Sequence, residues 1–356
     1  MSLDKLREKI DQLDEKLIEL LNERINIALE IGKAKKEQGG EIYVPSREKA
    51  VFDRICRLNK NGPLPDKSAR AIYREVMSAA LALESNLKIA YLGPPATFTH
   101  SAARSKFGAS VEYHPAGSID DVFSAVETGN ADYGVVPVEN STEGAVTNTF
   151  DRFTGTTLKI CNEIYQPISL CLMATVPMDQ IPRICTKHEA IGQCRRWLAE
   201  NMSGVEYDAV ASTTIAAEMA TRGECAAIAS RFAAELYGLD LIAENIQDSI
   251  GNTTRFLVIG KAASEPTGND KTSIFFGVKD KIGALNDALI ALKNYGINMS
   301  KIESRPSGDN VWQYVFFVDF EGHVDDPNVV AALTDLEEHC AVLNVLGSYP
   351  RAAVTD

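Results

Sequence analysis

Two cations stand where an apolar stripe should run unbroken. Leu3, Leu6, Ile10, Leu13, Leu17, Leu20, Ala28 and Ile31 recur at steps of three and four, the period of one long amphipathic helix, and Arg24 and Lys35 fall on the same face. An unpartnered buried cation is costly, so two on one face predict an anion meeting them, either a core carboxylate or a ligand. Snorkelling, with packed stems and charged heads in water, is the alternative that this helix alone leaves open. The elements that must position these cations follow from the punctuation. Gly39-Gly40 ends the first helix, Val44-Pro45-Ser46 opens a second that carries Arg47 and Glu48, and a third runs over 66–85. A first helix about 50 Å long cannot be covered by two shorter ones, so the unit is expected to dimerise and to bury the basic stripe inside a bundle.

A second chemistry is spelled in hydroxyls. From Leu87 to about Gly260 short apolar runs alternate with amphipathic stretches, an α/β pattern: 88–92 then a helix from Thr99, 132–138 then a helix near Ala145, 205–210 then a helix from Ser212. Each junction carries a cluster: Thr97-Phe98-Thr99, Asn140-Ser141-Thr142 and Ser212-Thr213-Thr214. Singly they are N-caps; together, three helix starts converging on one cleft could hold a dicarboxylate.

Charge narrows the partners. The net charge of −13 is unevenly shared, with 17 Lys+Arg against 15 Asp+Glu in residues 1–90 and 19 against 34 in the remainder. That excludes a nucleic-acid partner and obliges anionic ligands of the later domains to find local donors. No apolar run is long enough to span a membrane and no targeting segment is evident at the start, so a cytoplasmic location is expected. Seven scattered cysteines fit reduced thiols, and the absence of metal-ligand spacing or a Gly-x-Gly-x-x-Gly fingerprint implies no cofactor.

The helical residues carry a resemblance. Leu6-Arg7-Glu8-Lys9-Ile10, Leu13-Asp14, Arg24, Gly32-Lys33-Ala34-Lys35 and Arg47-Glu48 resemble the all-helical chorismate mutase family. The resemblance implies an all-α, three-helix unit over 1–87, forming an intertwined dimer. In its pocket Arg7 comes from one protomer, and Arg24, Lys35, Arg47, Glu48 and Glu84 from the other. Val44 and Ala80 stand where polar residues occur in some relatives and would line the pocket by backbone or packing. Chorismate, a dianion, rearranges to prephenate in one pericyclic step, so positioning and electrostatics must do the work. Arginine forks suit its carboxylates, and Lys35 is the expected donor to the ether oxygen, where charge grows; losing such a donor costs about 3–4 kcal/mol. Glu84 stands where glutamine is common and donates only when protonated, so mutase activity is expected to fall as pH rises.

In the middle segment Tyr91-Leu92-Gly93-Pro94, Thr97-Phe98-Thr99-His100, Val136-Pro137-Val138-Glu139-Asn140-Ser141-Thr142-Glu143-Gly144 and Asn252-Thr253-Thr254-Arg255-Phe256 resemble prephenate dehydratase. The implied fold over 88–262 is two α/β lobes, similar to periplasmic binding proteins, with the site between them. The implied contacts are Thr97, Thr99, Glu139, Asn140, Ser141, Gln193, Ser212, Thr213, Thr254, Arg255 and Phe256. Thr254 would orient the departing hydroxyl, with Arg255 or Asn140 on a carboxylate, so Thr254→Ala should abolish dehydratase activity and spare the mutase. Ala96 departs from the usual glycine. His188-Glu189-Ala190 replaces a more typical His-Pro-Gln run, and Gln193 is the better substrate contact there.

After a linker over 261–270, strands near 272–278, 297–305 and 311–320 alternate with helices near 283–294 and 327–338 before a last strand, a βαββαβ ferredoxin-like α+β plan over 271–356. Gly283-Ala284-Leu285-Asn286 and Glu303-Ser304-Arg305-Pro306 resemble the regulatory ACT domain, which implies phenylalanine bound between paired domains and feedback inhibition. Two rival readings stay open: a dehydratase preferring arogenate, and a catalytically decayed amino-acid sensor.

Overall fold

The computed structural model describes residues 2–38, 40–41, 43–249, 251–279, 281–306 and 314–352. The chain folds as two compact units, residues 1–88 with 106–112, and residues 89–105 with 113–356.

The first unit holds three helices, α1 (Leu3–Glu37), α2 (Pro45–Asn59) and α3 (Asp66–Ser85). Ser2 caps α1 by accepting from the Lys5 N–H, and Pro45 opens α2 where its missing donor costs nothing. Gln38 closes α1, its N–H bonding the Ala34 and Lys35 carbonyls. Gly39, the expected stop, lies outside the described residues. Gly32 lets α1 and α3 meet: a Cβ there would sit 2.3 Å from Glu84 Cγ. The N-terminal half of α1 has no such cover, and Leu3, Leu6, Ile10, Leu13, Leu17 and Leu20 are each between 45% and 62% exposed.

The second unit begins with β1 (Lys88–Leu92), α4 (Phe98–Phe107), β2 (Glu112–Ala116), α5 (Ile119–Glu127), β3 (Tyr133–Asn140), β4 (Gly144–Ala145), α6 (Thr147–Phe153) and β5 (Lys159–Pro167). A second lobe follows: β6 (Cys171–Ala174), β7 (Arg183–Thr186), α7 (His188–Gln193), α8 (Arg195–Asn201), β8 (Glu206–Ala209), α9 (Thr213–Thr221), β9 (Ala226–Ala229), α10 (Arg231–Tyr237) and β10 (Asp240–Ala243). The chain then returns to the first lobe as β11 (Thr253–Gly260). The sheet orders are β2-β1-β3-β11-β5, with β4 beside β3, and β10-β6-β9-β7-β8. Crossing between lobes at β5/β6 and at β10/β11 leaves a cleft between the two sheets. The helix expected near Ala145 starts later, because Gly144 and Ala145 pair with Asn140 and Glu139 as a short strand.

The remainder is β12 (Asp270–Val278), α11 (Ala284–Asn294), β13 (Met299–Pro306), β14 (Tyr314–Glu321), α12 (Pro327–His339) and β15 (Cys340–Pro350), in sheet order β13-β14-β12-β15. Residues 311–313 of the expected third strand lie outside the described residues. Apolar alternation along β12 explains the layering. Ile274 and Phe276 pack under α11 and α12 with Phe320 and Leu336, while Phe275 joins Phe317, Phe150 and Phe153 in a core continuous with the first lobe. None of the described helices is long and apolar enough to cross a membrane.

Candidate functional site

In the helical unit the structure leaves one cation and one acid unsatisfied. Arg24 Nη1 and Glu84 Oε1 are buried and without a hydrogen-bond partner among the described groups. Burial raises the Glu84 pKa above its ordinary 4.5, against the opposing pull of Lys35 and Lys36, and Lys36 also donates to the Glu84 carbonyl at 2.9 Å. Glu48 accepts from the Tyr43 hydroxyl at 2.9 Å and pairs with Lys106 at 2.5 Å, two partners that sequence spacing did not suggest. Val44 caps α2 half-buried, Ala80 is buried on α3 and Arg47 is exposed. Arg7, 67% exposed, lies 3.8 Å from Asp4. At 1.5 Å per residue it is about 25 Å along α1 from Arg24, too far to join the same cluster within one chain.

Between the lobes of the second unit lies a cavity of about 350 Å³. Eight of the eleven expected residues line it: Thr97, Thr99, Asn140, Thr254 and Phe256 from the first lobe, Gln193, Ser212 and Thr213 from the second. Thr97 opens α4 by accepting from the His100 N–H at 3.3 Å, and Ser212 caps α9 by accepting from Ile215 at 3.1 Å, so two helix starts face the cavity. The turn ahead of α4 is drawn tight. Ala96 sits at φ 65°, the left-handed region where glycine is favoured, and three bonds hold it there. Its N–H donates to His100 Nδ1 at 3.1 Å, its carbonyl accepts from Ser230 at 3.1 Å, and the Pro95 carbonyl accepts from Thr214 at 2.9 Å. The His100 ring, stacked on Tyr91, is pushed down to about 4 by burial and by Arg104, and so stays an acceptor.

Thr254 is governed by Asn140, its cross-strand neighbour. The Asn140 Oδ1 accepts from the Thr142 and Glu143 N–H groups at 2.9 and 3.0 Å, which fixes the amide's orientation. Its Nδ2 therefore donates to Thr254 Oγ1 and to Asn252 Oδ1, both at 2.8 Å. With its oxygen already accepting, the Thr254 hydroxyl has its proton to give into the cavity.

Three expected contacts are corrected. Arg255 points out of the opposite face of β11, where it donates to Glu163 and Tyr349 at 2.9 Å each and pairs with Asp319. Alternation along a strand requires this, since Thr254 and Phe256 face the cavity. Glu139 likewise faces away and pairs with Lys301 at 2.7 Å. Ser141 staples the loop, exchanging bonds with Thr253 at 2.9 and 3.0 Å. Among the described residues the cationic side chain that does line the cavity is Lys187, which sits 3.1 Å from Glu189. At the other end of α7, Gln193 donates to Glu143 across the lobes at 3.2 Å.

In the C-terminal domain Gly283 caps α11 at φ 80°, Ala284 is buried, Leu285 half-buried and Asn286 exposed. On β13, Glu303 is half-buried, Ser304 and Pro306 are exposed, and Arg305 makes a bidentate pair with Asp151 of α6 at 3.0 Å. A separate hollow of about 390 Å³ between α11 and β13, bordered by Leu292, Lys293, Ile297 and Asn298, touches none of these eight expected residues.

Fold and site together define a multidomain protein in which a helical unit precedes a two-lobed α/β domain, with a candidate active site in its cleft, and an α+β C-terminal domain. Family models agree: chorismate mutase type II matches residues 6–85, prephenate dehydratase 89–264 and the ACT domain 272–338. The chain is 49% identical to the bifunctional chorismate mutase/prephenate dehydratase of Aquifex aeolicus over 99% of each chain, and 44% identical to that of Pseudomonas aeruginosa over 99% of this chain and 98% of its relative. A solved prephenate dehydratase from Arthrobacter aurescens, in complex with L-Phe, superposes with a TM-score of 0.70 at 35% identity, covering 76% of this chain and 92% of that one. The chain belongs to the bifunctional chorismate mutase/prephenate dehydratase family and carries both activities.

Proposed function

We propose that the two reactions run in sequence at separate sites, over 1–87 and 88–262, under inhibition by L-phenylalanine acting at 271–356. In the first, two copies of α1 pair along their exposed leucines, and each pocket takes Arg7 from the partner. Arg24, Arg47 and that Arg7 grip the chorismate carboxylates, and Lys35 and protonated Glu84 donate to the ether oxygen as its bond to the ring breaks. The orphaned Arg24 and Glu84 atoms support this reading, since buried donors and acceptors are rarely left without a partner.

In the second, prephenate lies between the lobes. Lys187 and the starts of α4 and α9 receive its carboxylates, with Gln193, Ser212 and Thr213 closing from the second lobe. The ring carboxylate leaves as carbon dioxide, its bonding electrons aromatise the ring, and the ring hydroxyl departs with one proton as water. Thr254 donates a hydrogen bond to that hydroxyl as charge develops on it and relays the proton from solvent. The observation that carries this assignment is the Asn140 amide held donor-first against Thr254. Glu143 and Glu189 are engaged with Gln193 and Lys187, which favours the keto acid prephenate over arogenate and its ammonium group.

The C-terminal βαββαβ domain is read as ferredoxin-like and as the phenylalanine sensor. A solved relative bound to L-Phe supports it. Supplying chorismate alone, with and without L-phenylalanine, tests the scheme: phenylpyruvate should form and be suppressed by the amino acid. Accumulating prephenate would sink the dehydratase assignment, and indifference to phenylalanine the regulatory one.

A further inference from the structure

The residues that flank the catalytic pair in sequence are held by the C-terminal domain. Strands β3 and β11 run antiparallel with Thr254 opposite Asn140 and Arg255 opposite Glu139. Adjacent strand residues point to opposite faces, so one face presents the hydrogen-bonded Thr254 and Asn140 to the cleft and the other presents Arg255 and Glu139 to the C-terminal sheet. Both are met there by charge. Arg255, 6% exposed, pairs with Asp319 of β14 and shares Glu163 with Lys271 of β12, a buried quartet of two cations and two anions. Tyr349 of β15 accepts from Arg255 and donates to Ser273, and Ser273 donates to the second Asp319 oxygen. Glu139 takes Lys301 of β13, and four residues along the same strand Arg305 grips Asp151.

We propose that Arg255 and Glu139 are positioning residues: through Asp319 and Lys301 the C-terminal sheet sets the register of β11 against β3, and with it the Asn140–Thr254 hydrogen bond. The ladder shifts register immediately after Arg255, so its backbone is the point on β11 where a small movement re-aims the neighbouring side chains. Any ligand that moves β13 then pulls on Glu139 and Asp151 together, and the response reaches the cleft one residue from the chemistry. Coupling of this kind is reciprocal, so substrate bound in the cleft also changes ligand affinity at the C-terminal domain. The inference rests on the assignment of Thr254 and Asn140 to the dehydratase reaction and of L-phenylalanine to the C-terminal domain.

The Lys301–Glu139 pair is the one to cut, because Glu139 is 38% exposed and its loss does not strand a charge in the core. Lys301→Ala in the full chain should lower dehydratase kcat roughly fivefold or more, leave the mutase rate and the melting temperature at wild-type values, and reduce the inhibited fraction at saturating L-phenylalanine. The exchanged pair Glu139→Lys with Lys301→Glu should restore both. A structural role alone would lower the melting temperature without changing the inhibited fraction. Wild-type kcat and wild-type inhibition in folded Lys301→Ala, or no recovery in a folded exchanged pair, would overturn the proposal. A wild-type chain without dehydratase activity would instead overturn the site assignment on which it rests.

Discussion

Exchanging Asn140 for aspartate keeps the side chain's size and replaces the donor facing Thr254 by an acceptor. One carboxylate oxygen still accepts from Thr142 and Glu143, but the other now meets Thr254 Oγ1 and Asn252 Oδ1, each at 2.8 Å in the wild type. Two acceptors cannot share such a contact, so the Thr254 hydroxyl turns its proton onto the new carboxylate and away from the leaving group. Removing one positioned donor costs about 3–4 kcal/mol at the transition state, a fall in kcat of about 10²–10³. The stranded Asn252 oxygen adds roughly 1–3 kcal/mol of lost stability, which a thermal melt separates from the catalytic effect. The assay is phenylpyruvate formation from saturating prephenate, with chorismate consumption measured on the same preparation. Thr254→Val removes the same donor, so both variants should fall alike and the double variant scarcely further, as groups acting as one unit do. A folded Asn140→Asp chain within about tenfold of wild-type kcat would refute the assigned direction of that hydrogen bond.

Three further outcomes follow from the same geometry. Because burial raises the Glu84 pKa, mutase activity should decline as pH rises through it, and Glu84→Gln should flatten that limb; an unchanged profile would remove Glu84 from the donor role. His100 is neutral when folded and held at about 4, against 6.5 unfolded, so stability is complete above 6.5 and lost as pH falls from 6.5 toward 4. Melts across that range should show His100→Gln losing less on acidification than the wild type, and parallel curves would contradict it. Lys187→Ala should raise KM for prephenate roughly tenfold with little change in kcat, with partial recovery in Lys187→Arg; an unaltered KM would assign the carboxylates wholly to backbone donors.

Elements with strong punctuation were legible from sequence alone. The limits of α3 and β1 fall where spacing and the Asn-Gly-Pro-Leu-Pro break put them, whereas the left-handed turn at Ala96 was not read from the sequence, where that residue stood only as a departure from the resembled family's glycine. Facing was harder to read. Arg255 and Glu139 stand beside Thr254 and Asn140, yet strand alternation sends them to the opposite side, and only knowledge of what covers that face reveals their partners. Lys187 was hidden differently: a lysine at the start of a short helix has no spacing signal, and its place in the cleft depends on how the second lobe folds back. Arg305 entered through resemblance as an expected phenylalanine contact, and its grip on Asp151 is a long-range contact that no local pattern encodes.

The central claim is that one chain holds two independent sites, with Thr254 serving only the second. Its most direct test supplies chorismate alone to the Thr254→Ala chain and follows chorismate, prephenate and phenylpyruvate over time. Chorismate should disappear at the wild-type rate while prephenate accumulates and phenylpyruvate fails to form. Loss of chorismate consumption in the folded variant, or phenylpyruvate appearing at the wild-type rate, would contradict the account.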